Sequence, residues 1–305
     1  MLALVTGGTG FIGRALVARL EAPRVLSRDA ARARASLGAG VEAFAWDPEA
    51  GPPPAAALDG VEAVFHLAGD SVGEGRWTAA KKARIRDSRE KGTRNLVAAL
   101  AALPKRPRVL VSASAVGWYG DRGEEVLDEA APAATDFLGE VCAAWEAEAR
   151  KAEALGVRVV RLRLGVVLGE GGGALGRMLL PFRLGVGGRL GSGRQWMPWV
   201  HRDDVVGLAL HAAATASLSG AVNAVSPNPV TNAEFTRTLG RVLRRPAFLP
   251  APAFALRLAL GEFAEVLLAS TRAVPRTAEQ SGYRFRHPDL EQALRSILLP
   301  APPAG

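Results

Sequence analysis

The chain holds one cysteine, two tyrosines and four histidines in 305 residues. A single cysteine, Cys142, excludes an intrachain disulfide and fits a reducing compartment. So few tyrosines and histidines leave few side chains able to move a proton near neutral pH. Their scatter gives no ligand spacing, so no metal is expected. Long apolar runs are missing as well. The most apolar stretch, PAFALRLALGEFAEVLLA, is interrupted by Arg257, Glu262 and Glu265, and no membrane span or membrane partner is expected. The start, MLALVTGGTG, has no basic region and reaches glycine too early for a signal peptide. A cytoplasmic location is the expectation.

What is present is a globular composition, 49% hydrophobic and 22% charged. The formal charge of +8 fits either a polyanion partner or a plain excess of surface arginine. The positive charge is spread along the chain. Its densest cluster, KKARIRDSREKGTR, also contains Asp87 and Glu90, which points to a solvated helix face and no nucleic-acid partner.

Short apolar runs alternate with helical patterns through Leu164. Strands are expected at Leu2 to Thr6, Arg24 to Ser27, VEAFAW, Ala63 to Gly69, Arg108 to Ser114 and Val157 to Leu164. Helices are expected at Phe11 to Leu20, Ala30 to Leu37, Ala79 to Ala102 and from Thr135 or Asp136 to about Leu155. Apolar strands separated by helices predict an α/β Rossmann-type fold, a doubly wound parallel sheet that binds ligands at its carboxyl edge. Residues 1–164 form the expected nucleotide domain, its sheet completed by a strand near 220–226. Residues 165–305 form a smaller substrate-facing region, with an apolar helix over Pro252 to Ala269 and a disordered tail, LPAPPAG.

TGGTGFIG follows strand one and opens a helix. Gly7, Gly10 and Gly13 have the spacing of a dinucleotide fingerprint: a tight turn, an open approach for a pyrophosphate, and close helix–strand packing. Strand two ends in Ser27 and Arg28 where an NAD binder carries an acid. A hydroxyl and a guanidinium suit a 2′-phosphate, so NADP(H) is favoured over NAD(H). Asp29 follows and remains within reach of a ribose.

TGGTGFIG, HLAG after strand four, SASAVGWYG after strand five, RLGVVLG and WVHRDDVV occur in that order. Together they resemble the extended short-chain dehydrogenase/reductase superfamily. GSGRQWMPWVH and NPVTN resemble its atypical bacterial "epimerase family" branch, whose substrates are unknown. The resemblance implies cofactor contacts at Gly7, Thr9, Gly10, Phe11, Ile12, Gly13, Ser27, Arg28, Asp47, Leu67, Ala68, Gly69, Leu164 and Gly165. It also implies a tyrosine acid, a lysine four residues later that holds the nicotinamide ribose, and a serine that orients a carbonyl. The pattern Tyr-Gly-x-x-Lys-x-x-x-Glu falls on Leu138, Gly139, Cys142 and Glu146. The glycine and glutamate are kept, while the tyrosine and lysine are not. Ser114 matches the serine, in a loop one residue longer than usual.

Tyr119 and His201 are the candidate replacement acids, though each reads more readily as a structural residue with a satisfied polar group. Asp203 and Asp204 are expected to cap a helix. His66 is expected in the core. Trp118, Trp199 and Gln195, with Trp196, are the candidate substrate contacts. Two functions stay open: an NADP-dependent oxidoreductase or epimerase-like enzyme on a small molecule, and a non-catalytic NADP(H) sensor acting through a protein partner. A homodimer through the helices at Ala79 to Ala102 and Thr135 to Leu155 is also open.

Overall fold

The computed structural model of the protein describes residues 1–299, so the tail expectation for residues 300–305 lies outside the described residues. The first half comprises β1 (Ala3–Thr6), α1 (Phe11–Val17), β2 (Arg24–Ser27), α2 (Ala30–Leu37), β3 (Glu42–Ala45), α3 (Ala55–Leu58), β4 (Ala63–His66), α4 (Ala79–Ala101), β5 (Val109–Ala115), β6 (Val126–Leu127), α5 (Phe137–Arg150) and β7 (Arg158–Leu164). The second half adds β8 (Val166–Leu168), α6 (Gly173–Arg183), β9 (Trp196–Met197), β10 (Trp199–His201), α7 (Arg202–Ala214), β11 (Gly220–Ala224) and β12 (Val230–Thr231). It ends with α8 (Asn232–Leu243), α9 (Ala253–Leu260), α10 (Phe263–Leu268), β13 (Arg272–Ala273), α11 (Arg276–Gln280) and α12 (Leu290–Leu298).

Seven strands make one sheet, ordered β11-β7-β5-β4-β1-β2-β3, with every neighbouring pair parallel. Alternation along each strand divides the apolar residues between two cores. Val5, Phe65, Val111 and Leu162 meet Leu16 and Leu208 on one face. Leu4, Val64, Leu110 and Val159 meet Leu96 and Leu100 on the other. Both faces are therefore buried, which is why these strands read as unbroken apolar runs. The order reverses at β1, whose neighbours are β4 and β2, and a doubly wound sheet opens its ligand crevice at such a point.

Several helices begin where a short polar side chain caps them. Asp136 accepts from the Gly139 N–H at 2.8 Å to start α5, and Thr231 with Glu234 forms a capping box on α8. Three boundaries differ from expectation. α1 stops at Val17, three residues before Leu20. α5 gives way at Lys151 to a 3₁₀ turn that ends on left-handed Gly156. The stretch Pro252 to Ala269 is two helices, because Gly261 at φ 62° turns the chain between α9 and α10. A third core, built on Trp199, Phe235, Leu239 and Leu294, packs the elements of the second half against one another. No described helix is long and apolar enough to cross a membrane.

Candidate functional site

The loop after β1 is a cradle that side chains would fill. Gly7 has φ 68° and faces the chain leaving β4, where a Cβ would lie 2.9 Å from the Ala68 nitrogen. A Cβ on Gly13 would lie 2.1 Å from the Gly7 carbonyl oxygen. Gly10 begins α1 without a side-chain cap, so the first N–H groups of the helix have no acceptor from a capping side chain. Thr9, Phe11 and Ile12 complete this turn, and the Arg202 guanidinium lies over the Phe11 ring at 5.1 Å.

The β4 end is tied to the β1 end through Thr6. Its hydroxyl oxygen accepts from the N–H groups of Leu67 and Ala68, both at 3.1 Å, and lies 2.7 Å from His66 Nδ1. His66 Nε2 lies 2.9 Å from the Thr93 hydroxyl. With two N–H groups on its oxygen, Thr6 has its own hydrogen left for Nδ1, so Nε2 carries the ring proton and donates to Thr93. Burial pulls the His66 pKa down to about 4. His66 is a core residue, as expected.

At the end of β2 the Ser27 hydroxyl accepts from the Asp29 N–H at 3.3 Å. Asp29 caps α2, its Oδ1 accepting from the Arg32 N–H at 2.9 Å. Arg28 is exposed, and no carboxylate among the described residues pairs with it. Asp47 is exposed and accepts from the Glu49 N–H at 3.1 Å, closing its own turn. A glycine cradle, an uncapped helix start and a free guanidinium fit the phosphates of a dinucleotide.

A cavity of about 790 Å³ opens beside this cradle, at the carboxyl ends of β5 and β7 and under α6, α9 and α10. Leu164, Gly165 and Gln195 line it, as do Leu138 and Cys142. Trp77, Phe137 and Trp196 give it aromatic walls, and Trp77 meets Phe137 edge-on at 5.2 Å. Its charged lining is largely paired: Lys82 with Glu262 and Arg257 with Glu265 at 2.7 Å. Gln195 Nε2 donates to the carbonyls of Leu190 and Leu267 and so joins two wall segments. Burial pushes the Cys142 thiol up to about 12, so it is no proton donor or thiolate at neutral pH.

The structure turns the three candidate catalytic residues away from this cavity. Ser114 is buried and donates to Glu146 Oε1 at 2.8 Å, because alternation along β5 sends Ala115, and not Ser114, to the cavity wall. Tyr119 is buried and donates to Asn223 Oδ1 at 2.7 Å while accepting from Arg163 Nη1 at 3.0 Å. Burial pushes its pKa up to about 12. His201 caps α7, its Nδ1 accepting from the Asp203 N–H at 3.0 Å. Its ring stacks on His287 at 3.8 Å, and burial together with that neighbour pulls its pKa down to about 4.

Two candidate substrate contacts are also displaced. Trp118 lies under the Arg163 guanidinium at 3.8 Å and donates to the Ala131 carbonyl. Trp199 is fully buried and donates to the Asn228 carbonyl. Asp204 caps no helix: it accepts from the N–H groups of Arg286 and His287 at 2.7 and 2.9 Å and clamps that segment to α7. Folding also brings His201, Asp203 and His287 together, with one ligand atom from each within 4.8 Å of the others. Sequence spacing gave no sign of that group.

Sequence reasoning missed Arg89, Trp77 and Phe137, all on the cavity wall. Arg89 sits in the cluster expected to be a solvated face. That face is partly buried: Lys81, Ile85 and Thr93 are buried at spacings of four on α4, and Arg89 is on the same stripe. The period of four was the available signal.

A parallel sheet with a glycine cradle at its switch point defines a Rossmann-type dinucleotide-binding fold. Residues 3–224 match the NAD dependent epimerase/dehydratase family, and the chain belongs to it. Residues 251–297 match a domain of unknown function, DUF1731. The chain is 44% identical over 292 residues to an epimerase family protein of Mycobacterium bovis, covering 95% of each. It is 42% identical over 311 residues to a chloroplastic SDR39U1 homolog of Arabidopsis thaliana, covering 98% of this chain and 87% of that one. The crystal structure of human epimerase family protein SDR39U1 with NADPH superposes with a TM-score of 0.86 at 36% identity, covering 97% of this chain and 99% of that one.

Proposed function

We propose that the protein binds NADP(H) and acts as an oxidoreductase on a small, mainly apolar molecule held in the cavity beside the cofactor. The observation that carries this is the junction of a glycine cradle with a roomy, largely apolar cavity at one sheet edge. Gly7, Thr9, Gly10, Phe11, Ile12 and Gly13 would hold the pyrophosphate. Ser27 and Arg28 would take the 2′-phosphate, with Asp47 nearby on the adenosine side. Leu67, Ala68 and Gly69 would pass along the cofactor, and Leu164 with Gly165 would line the nicotinamide. The NADPH in the human relative supports this choice over NAD(H). When bound, the cofactor supplies hydride chemistry.

The protein's own contribution is enclosure and orientation. With Ser114, Tyr119 and His201 engaged elsewhere, solvent is the proton source, so the best substrates are those whose reduced form is a weak base. A second function, NADP(H) sensing through a protein partner, is favoured by one observation: α9 exposes Phe254 and Leu258 beside the cavity, at 73% and 78%. Following NADPH absorbance with a panel of quinones, aldehydes and ketones separates the two. Consumption with any acceptor supports the enzyme. Tight binding with no consumption across the panel supports the sensor.

A further inference from the structure

Arg89 is a cation at the wall of the cavity with donors left over. Its Nη1 donates to the carbonyls of Asp70 and Ile85, at 2.9 and 3.1 Å. Among the described residues Nε and Nη2 have no acceptor, and no carboxylate pairs with the guanidinium. The carboxylate of Asp70, whose backbone carbonyl Arg89 holds, pairs instead with Lys81 at 2.7 Å. The guanidinium lies over the Trp145 ring at 5.0 Å. Its Cζ is 3.2 Å from where a Cβ on Gly69 would stand, and it lines the same cavity as Cys142. It thus spans the end of β4 and the helix position at which the superfamily pattern places its lysine.

We propose that Arg89 replaces that missing lysine, delivering a cation from α4 instead of α5 to the hydroxyls of the cofactor's nicotinamide ribose. This rests on the NADP(H) reading above and adds a residue to it. Burial disfavours the charged form of Arg89, yet a guanidinium stays protonated in proteins. A cation held beside the open cavity with free N–H groups calls for an acceptor from a ligand. A ribose diol matches a guanidinium's paired donors, and Gly69 leaves the room a side chain would take. The cationic function moved while the proton-transfer tyrosine was lost, so the arrangement keeps cofactor placement without the usual acid.

The test is calorimetric titration of the full chain with NADPH and with adenosine 2′,5′-bisphosphate, which lacks the nicotinamide ribose. Arg89→Ala is expected to weaken NADPH about ten- to hundredfold, the worth of a charge-assisted hydrogen bond, and to leave the bisphosphate unchanged. Arg89→Met keeps the chain length over Trp145 without the charge and carries the same expectation should the alanine variant fail to fold. Equal losses for both ligands, or undiminished NADPH affinity in a folded variant, overturns the inference alone. A wild-type chain that binds neither ligand overturns the function proposed above together with it.

Discussion

Ser114 and Glu146 are joined by a 2.8 Å hydrogen bond inside the protein. The glutamate also takes Arg163 through both oxygens, Nε to Oε1 at 2.8 Å and Nη2 to Oε2 at 3.1 Å. Arg163 and Glu146 are 3% and 2% exposed. A serine in a position associated with catalysis is here the donor to a buried ion pair, and Arg163 extends the network to Tyr119 and thence to Asn223. The network joins β5, α5, β7 and β11 behind the cavity.

Breaking that pair leaves a buried guanidinium without its counter-ion. Glu146→Ala is expected to destabilise the fold by about 3–5 kcal/mol, and Ser114→Ala by about 1 kcal/mol. Denaturant unfolding measures both. Ser114→Ala should leave NADPH affinity unchanged, and a large fall would return Ser114 to the cofactor site.

Gly13→Ala forces a methyl group against the Gly7 carbonyl, where a Cβ has 2.1 Å. Overpacking of this kind costs about 1–3 kcal/mol, and the cradle shifts to relieve it. Lower thermal stability accompanied by loss of NADPH binding is expected. Unimpaired binding would show that the loop does not hold the pyrophosphate.

His66 and His201 are buried with pKa values pulled down to about 4 from 6.5. The unfolded chain takes up protons on both as pH falls below 6.5, and the folded chain does so only near 4. Their contribution is therefore complete above pH 6.5 and lost as pH falls toward 4. For the fully buried His66 the loss is on the order of 3 kcal/mol. Unfolding midpoints measured between pH 7 and pH 4 should fall steadily, and the fall should be smaller in His66→Asn. A flat profile would contradict the placement.

Cys142 is 3% exposed, with its thiol pushed up to about 12 by burial. Alkylation at neutral pH should be very slow in the native protein and fast in denaturant. Rapid native labelling, read by mass spectrometry, would show an open or activated thiol.

Much of this architecture is legible in the chain. Fully apolar strands such as LALVT and AVFH announce a sheet covered on both faces, and TGGTGFIG marks its switch point. The cofactor loop is local, so spacing alone reveals it. The cavity is not local. Ser114 and Ala115 are neighbours in sequence, and only the register of β5 decides which one faces it. Tyr119 looked available because its partners, Arg163 and Asn223, lie 44 and 104 residues away. His201 pairs with His287 through a segment that Asp204 holds down. Arg89 was hidden among charges that composition alone assigns to solvent, although its place on the buried stripe of α4 was readable from Ile85 and Thr93.

The most direct test of the account is a calorimetric comparison of NADPH with NADH on the wild-type chain and on Arg28→Ala. Arg28 is exposed and unpaired among the described residues, so a 2′-phosphate would be its partner. The wild type is expected to prefer NADPH by about tenfold or more, and Arg28→Ala to remove the preference while NADH affinity stays the same. Equal affinities in the wild type, or binding of neither nucleotide, would contradict it.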